Sequence, residues 1–243
     1  KDILRFHAGV WIGMLMSAAL EIPKTIFVHG FVTSEGHKMS KSIGNVVDPL
    51  FYVEKYGVDA LRYYLLREIP SDDDGDFGHD RFVDIYNSEL ANSLGNRVNR
   101  VTMMVERYIE GRVPAPTAND SVAKEIGAFF DRYEEAFENF DLKSACEVIV
   151  ALTDFANKYI DDKKPWSLAK EDPSQLPDVL YDLLELLRFI VILLLPILPE
   201  SAAKIAGQLG LKVADLNFDR KWGGLKEGEK IKSAGSLFPR IEE

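Results

Sequence analysis

Two lysines and two serines fall within five residues, Lys38-Met39-Ser40-Lys41-Ser42. A lysine is a strongly hydrated point charge on a flexible stem, so two of them on one mobile loop can turn toward a single anion such as a phosphate. When a nucleophile attacks an α-phosphate, negative charge builds on the departing pyrophosphate. Cations placed for that charge bind the transition state better than the ground state. A K-x-S-K-S pattern without context is more often an exposed basic loop, so the elements that carry it decide its meaning.

Three stretches differ in texture. In residues 1–78, the β-rich run Thr25 to Val32 predicts a strand, and the polar run Thr33 to Gly44 predicts the loop that holds the lysines. Asp48-Pro49 punctuates it. Tyr52 to Tyr56 and Asp59 to Arg67 then predict helices, with Asp59 as an N-cap. The acidic run Ser71 to Asp76 predicts a solvated turn. It does not fit a calcium loop, because Arg81 stands where an EF-hand needs Glu.

Residues 79–210 predict a helical bundle. Phe82, Ile85, Tyr86, Leu90, Leu94, Val98, Val101, Val105 and Tyr108 recur at steps of three and four. That implies one helix about 40 Å long, ended by Val113-Pro114. A second helix carries Ile126, Phe129, Phe130, Tyr133, Phe137 and Phe140 inward. Asp141 caps a third, Lys164-Pro165-Trp166 breaks it, Asp178 caps a fourth over Val179 to Leu195, and a fifth runs from Pro199 to Gly210. Residues 211–243 lack a period and are expected to wrap back over the body.

Of the 243 residues, 47% are hydrophobic and 28% charged, which fits a globular chain with a sizeable core. The net charge of −10 argues against non-specific nucleic-acid binding over the whole surface but leaves room for a local basic stripe. The single cysteine, Cys146, has no partner for an internal disulfide and reads as a buried, inert thiol, in keeping with a reducing, cytoplasmic setting. The apolar run Phe189 to Leu198 is too short for the ~20 residues of a bilayer span, so no membrane is expected. The chain opens in mid-pattern on Lys1-Asp2-Ile3, and the polypeptide is expected to continue upstream.

The stretch HGFVTSEGHKMSKSIGNVVDP resembles the signature loop of class I aminoacyl-tRNA synthetases, most closely the methionine enzymes. KDILRFHAGVWIGMLM resembles the segment that precedes it in that family, GVDALRYYLLREIP the connecting region, and WGGL with LFPRI the C-terminal wrap. The resemblance covers nearly the whole chain. It implies a mainly α protein: the remnant of a nucleotide-binding α/β catalytic domain followed by an α-helical anticodon-binding bundle. It implies catalytic roles for Lys38, Ser40 and Lys41, and ATP or adenylate binding at Asp2, His29, Val32, Met39 and Ser42. It also implies methionine binding at Ile3, His7 and Trp11. A polarisable thioether packs well on an aromatic face, which Trp11 supplies. ATP with Mg2+ is the implied co-substrate.

The same resemblance places an anticodon reader on the bundle. Asn96 and Arg100 are four residues apart, on a face opposite the apolar stripe, and Trp166 sits in a P-W pair at a helix break. Asn can pair with a base edge, Arg can pair or stack, and Trp can stack on a splayed base. The family reads CAU with such a set, so tRNA bearing that anticodon is the implied partner, together with methionine. Arg97, Arg107, Lys158, Lys163 and Lys164 are candidate phosphate contacts.

There are departures from the family. The H-I-G-H signature, the first strands of the nucleotide fold and the zinc-bearing insertion are absent, and no cysteine pair is present to hold zinc. Ile12-Gly13 follows Trp11 where the family commonly has Pro and a bulkier residue. The expectation is a partial enzyme that needs an N-terminal half, with a catalytically silent tRNA-binding module as the alternative. A cysteine or leucine enzyme is disfavoured by the P-W pair with Asn96 and Arg100.

Overall fold

In the computed structural model, which describes residues 1–242, one buried helix organises the rest. Helix α9 (Leu176–Leu194) is mostly apolar and buried on nearly every side, and such a helix is stable only when surrounded. The helices α5 (Asn96–Ile109), α6 (Asp120–Glu138), α7 (Leu142–Lys163), α8 (Pro165–Glu171) and α10 (Pro199–Gln208) pack on it. Each fully buried Leu, Ile or Phe in this core contributes about 1.5–3 kcal/mol. Three charged residues of α9 are buried with it, and each has partners. Asp182 accepts from Asn119 Nδ2 at 2.7 Å and from the Thr117 and Tyr159 hydroxyls. Arg188 donates to Glu185 at 2.7 Å. The Glu185 carboxylate also accepts from Gly223 N and Leu225 N, which ties the WGGL tail to the core. Among the described residues, no helix is long and apolar enough to cross a membrane.

Several local signals act as the sequence predicts. Asp141 Oδ1 accepts from Ser144 N at 2.9 Å and caps α7. Lys164, with φ 44°, ends α7, and Pro165 opens α8. Pro199 opens α10, and Gly210, with φ 71°, follows it. The tail wraps back: Ile231 N donates to Gly111 O at 2.8 Å, and Ile241 N to Asn87 Oδ1 at 2.9 Å.

Elsewhere the structure corrects the prediction. The strand expected over Thr25 to Val32 is only β1 (Val32–Ser34). Among the described residues, no second strand runs beside residues 25–30; the ladder begins where Gly75 N donates to Phe31 O at 2.9 Å. The expected loop is instead a hairpin from β1 to β2 (His37–Lys38), turned at Glu35 and Gly36, both at positive φ. The acidic run is more than a solvated turn: it leads into β3 (Gly75–Phe77), parallel to β1. Asp74 Oδ1 accepts from Phe31 N at 2.7 Å, and Asp76 Oδ1 from Gly36 N at 2.8 Å. Gly30 passes so close that a Cβ there would lie 2.0 Å from Asp73 O, so only glycine fits.

Asp59 does not cap its own helix. Helix α2 (Pro49–Tyr56) gives way at Gly57 to α3 (Val58–Glu68). Asp59 is buried, and its Oδ2 accepts from Ser201 N at 2.6 Å in the first turn of α10, capping a helix 142 residues away. The long helix is composite: α4 (His79–Ile85), a π-helical run (Tyr86–Gly95) and α5 follow without a break in right-handed backbone. It ends at Ile109 rather than at Val113-Pro114, because Glu110 and Gly111 both take positive φ. Asp178 lies inside the first turn of α9, which starts at Leu176 ahead of Pro177. Phe140 is not part of α6: it is 46% exposed, with φ 57°.

Candidate functional site

The lysine-bearing loop is organised by a residue that the motif does not contain. Asn45 Oδ1 accepts from Ser40 N at 2.8 Å, and Asn45 Nδ2 donates to Lys38 O at 3.3 Å. These bonds close the turn over residues 38–45. The Ser40 and Ser42 hydroxyls bond each other at 2.7 Å. Met39 is partly buried against the core. Lys38 and Lys41 are therefore presented on a pinned frame: Lys38 from β2, Lys41 from the exposed turn. Asn45 lies just past the loop predicted over Thr33 to Gly44, and no spacing rule marks it.

A second grouping forms at the start of the chain. A π-helical turn (Phe6–Val10) leads into α1 (Trp11–Ser17). This helix and the extended residues 23–29 enclose a cleft of about 320 Å³, lined by Ile3, His7, Trp11, Phe27 and His29 among others. The predicted methionine residues Ile3, His7 and Trp11 thus come together, with His29 beside them. The His7 and Trp11 rings lie 6.0 Å apart. His7 Nδ1 bonds to Ile3 O at 3.2 Å, which requires the proton on Nδ1 and leaves Nε2 for a ligand. Asp2 and Val32 do not line this cleft. Phe31 links the two groupings, since Lys1 Nζ and Lys38 Nζ lie 4.8 and 5.4 Å from its ring centre.

The third grouping is on the bundle. Arg100 and Trp166 come from different helices, yet the Arg100 guanidinium lies 5.2 Å from the Trp166 ring centre. Its Nη2 reaches Asp161 Oδ1 at 3.4 Å. Trp166 is 38% exposed, and Asn96 is exposed on the same helix as Arg100. Arg97 differs from its expected role as a surface phosphate contact. It is half-buried, its Nη1 donates to Asn157 Oδ1, and its Nε is buried without a partner. Burial lowers its pKa from the ordinary arginine value. Cys146 is fully buried, and burial pushes its thiol up to about 12, so it is inert.

Among the described residues, no three His, Cys, Asp or Glu side chains are grouped to hold a metal ion.

Comparison with known proteins gives the family. The family profile described as "tRNA synthetases class I (M)" matches residues 1–102. The profile "Anticodon binding domain of methionyl tRNA ligase" matches residues 111–243. The methionine–tRNA ligase of Synechocystis sp. is 42% identical, matching 100% of this chain and 49% of that protein. The chloroplastic/mitochondrial methionine–tRNA ligase of Arabidopsis thaliana is 40% identical over 100% of this chain and 41% of that protein. Among solved structures, apo methionyl-tRNA synthetase of Mycobacterium tuberculosis superposes with a TM-score of 0.87 at 34% identity, covering 100% of this chain and 49% of that one. The same enzyme in complex with methionyl-adenylate gives 0.88 at 38% identity, covering 98% and 48%. The chain thus spans about half or less of each relative's own length.

Proposed function

The chain belongs to the methionyl-tRNA synthetase family, and on that footing we propose that it is the part of a methionine–tRNA ligase carrying the signature loop, one wall of the substrate pocket and the anticodon reader. In this reading the methionine carboxylate attacks the α-phosphorus of ATP. The bond to the pyrophosphate oxygen breaks, and methionyl-adenylate and pyrophosphate result. The tRNA terminal hydroxyl then displaces AMP from the adenylate. Magnesium would be bound by the ATP phosphate oxygens and would offset part of their charge. Lys38 and Lys41 stabilise charge on the leaving pyrophosphate. Ile3, His7 and Trp11 take the methionine side chain, and the thioether packs on the indole face. Asp2, His29, Val32, Met39 and Ser42 are assigned to the ATP side, with Ser40 helping to shape the turn.

The observation that carries this reading is the Arg100 guanidinium over the Trp166 ring, beside Asn96 on an exposed surface. Such a stacked pair can widen to receive an unstacked base, and Arg and Asn edges can then fix its identity. The partner is a tRNA with a CAU anticodon. The remaining part of the catalytic domain is a second partner, supported by apolar side chains on α1 and its flanks that nothing covers: Ile3 is 60% exposed, Phe6 62% and Met14 64%.

Those exposed residues favour a second reading of the chain alone, as a tRNA-binding module silent in catalysis. Pyrophosphate exchange dependent on methionine separates the two. The full-length polypeptide should exchange, and the isolated chain should bind tRNA without exchanging. Absence of methionine-dependent exchange in the full-length protein contradicts the ligase reading.

A further inference from the structure

The turn between α6 and α7 holds a bulky residue where glycine is the rule. Asp141 N donates to Ala136 O at 2.8 Å and Phe140 N to Phe137 O at 3.1 Å. This is the paired bonding of a Schellman motif, and its left-handed position normally falls to glycine because a Cβ is strained there. Phe140 occupies it with φ 57°. For an aromatic residue that is an outlier, persisting only where surrounding structure enforces it. The bundle core does not hold the ring, which is 46% exposed. Instead the ring stacks on Phe27, with centroids 4.8 Å apart and planes at 30°. Phe27 belongs to the extended segment without a strand ladder, and it lines the cleft with Ile3, His7, Trp11 and His29. Close by, Leu142 N donates to Ser71 Oγ at 3.4 Å, so the same turn also touches the stretch beyond α3.

We propose that Phe140 is a positioning residue for the methionine cleft: presented from the anticodon-reading bundle, its ring braces Phe27 and thereby residues 25–29, one wall of the cleft. The brace explains why a strained aromatic stands where glycine would relax the turn. It also gives the bundle a direct mechanical contact with the substrate pocket. The assignment of the cleft to methionine rests on the function proposed above, whereas the brace itself does not.

The test uses the full-length protein with Phe140→Gly and Phe140→Tyr. Glycine relieves the backbone and removes the ring, while tyrosine keeps the ring. For Phe140→Gly, the KM for methionine in pyrophosphate exchange should rise about two- to tenfold, the equivalent of one aromatic pair. Its kcat should stay within about twofold, and its Tm should be unchanged or higher. Amide exchange in residues 25–29 should accelerate. Phe140→Tyr should behave as wild type in all of these. Unchanged amide exchange in residues 25–29 overturns the brace. So does a Tm that falls while the methionine KM stays constant, because that is the mark of a merely structural residue. If wild type shows no methionine-dependent exchange, the substrate assignment fails, and the amide readout still decides the brace.

Discussion

The bundle and the first fifty residues obey opposite rules. In α9 nearly every side chain is buried, Asp182, Glu185 and Arg188 included. In residues 1–51, Ser34 is the single buried residue among those described, while Met16 is 66% exposed and Leu20 60%. The residues assigned to chemistry lie in the poorly covered region, and those assigned to RNA lie on the well-packed one. The packed region is therefore expected to hold its shape alone. The other leaves many of its apolar side chains uncovered and is expected to open more readily. Helix α3 sits with the bundle: Asp59 caps α10, Arg62 Nε donates to Ile197 O at 3.0 Å, and Arg67 pairs with Glu89 at 3.1 Å.

The largest expected effect is on local stability. In the isolated chain, amide protection should be concentrated in residues 58–68 and 82–205, approaching the global unfolding free energy, while residues 1–31 open at close to none. Uniform weak protection would erase the contrast.

Next in size, on the proposed function, is Lys41→Ala in the full-length protein. It should lower kcat for adenylate formation by about 10²–10³ and leave the methionine KM nearly unchanged. Lys38→Ala should cost less, because Lys38 is held in β2 with its amine near Phe31. An unchanged kcat for Lys41→Ala contradicts the role.

A smaller effect belongs to the α7 cap. Asp141→Ala should cost about 1 kcal/mol of stability. The Ser144 hydroxyl, then the Ser144 N–H, hold the Asp141 carboxyl below its ordinary value. A depressed folded pKa stabilises above the unfolded value of about 3.9 and ceases to do so as pH falls through the lower folded value. Thermal melts of wild type and mutant should therefore converge in acid; a gap independent of pH would assign the cost to something other than charge.

Legibility in the sequence followed the range of the interaction. Asp141, Pro165, Pro199 and Gly210 act within a few residues of themselves, and their signals were readable. Asp59 looked like a local cap and serves a helix 142 residues on, which no periodicity encodes. The π-helical run over Tyr86–Gly95 preserves an apolar face, so a step of three or four could not reveal it. β3 was hidden in an acidic run because its pairing depends on Asp74 and Asp76 meeting backbone some forty residues away. At the site, the motif and the resemblance named Lys38, Lys41, His7, Trp11, Arg100 and Trp166. They gave no hint of Asn45, whose role is purely geometric, or that Arg97 turns inward.

The most direct test of the division of labour is aminoacylation of tRNA with one anticodon base changed, comparing wild type, Arg100→Ala and Trp166→Ala in the full-length protein. Stacking and bidentate base contacts are each worth about 1–3 kcal/mol. Trp166→Ala should weaken use of the CAU tRNA by that amount, and Arg100→Ala should erode discrimination against altered anticodons. Both should leave methionine-dependent pyrophosphate exchange at the wild-type rate. If both mutants still discriminate as wild type does, the anticodon is read elsewhere and the assignment of this surface is contradicted.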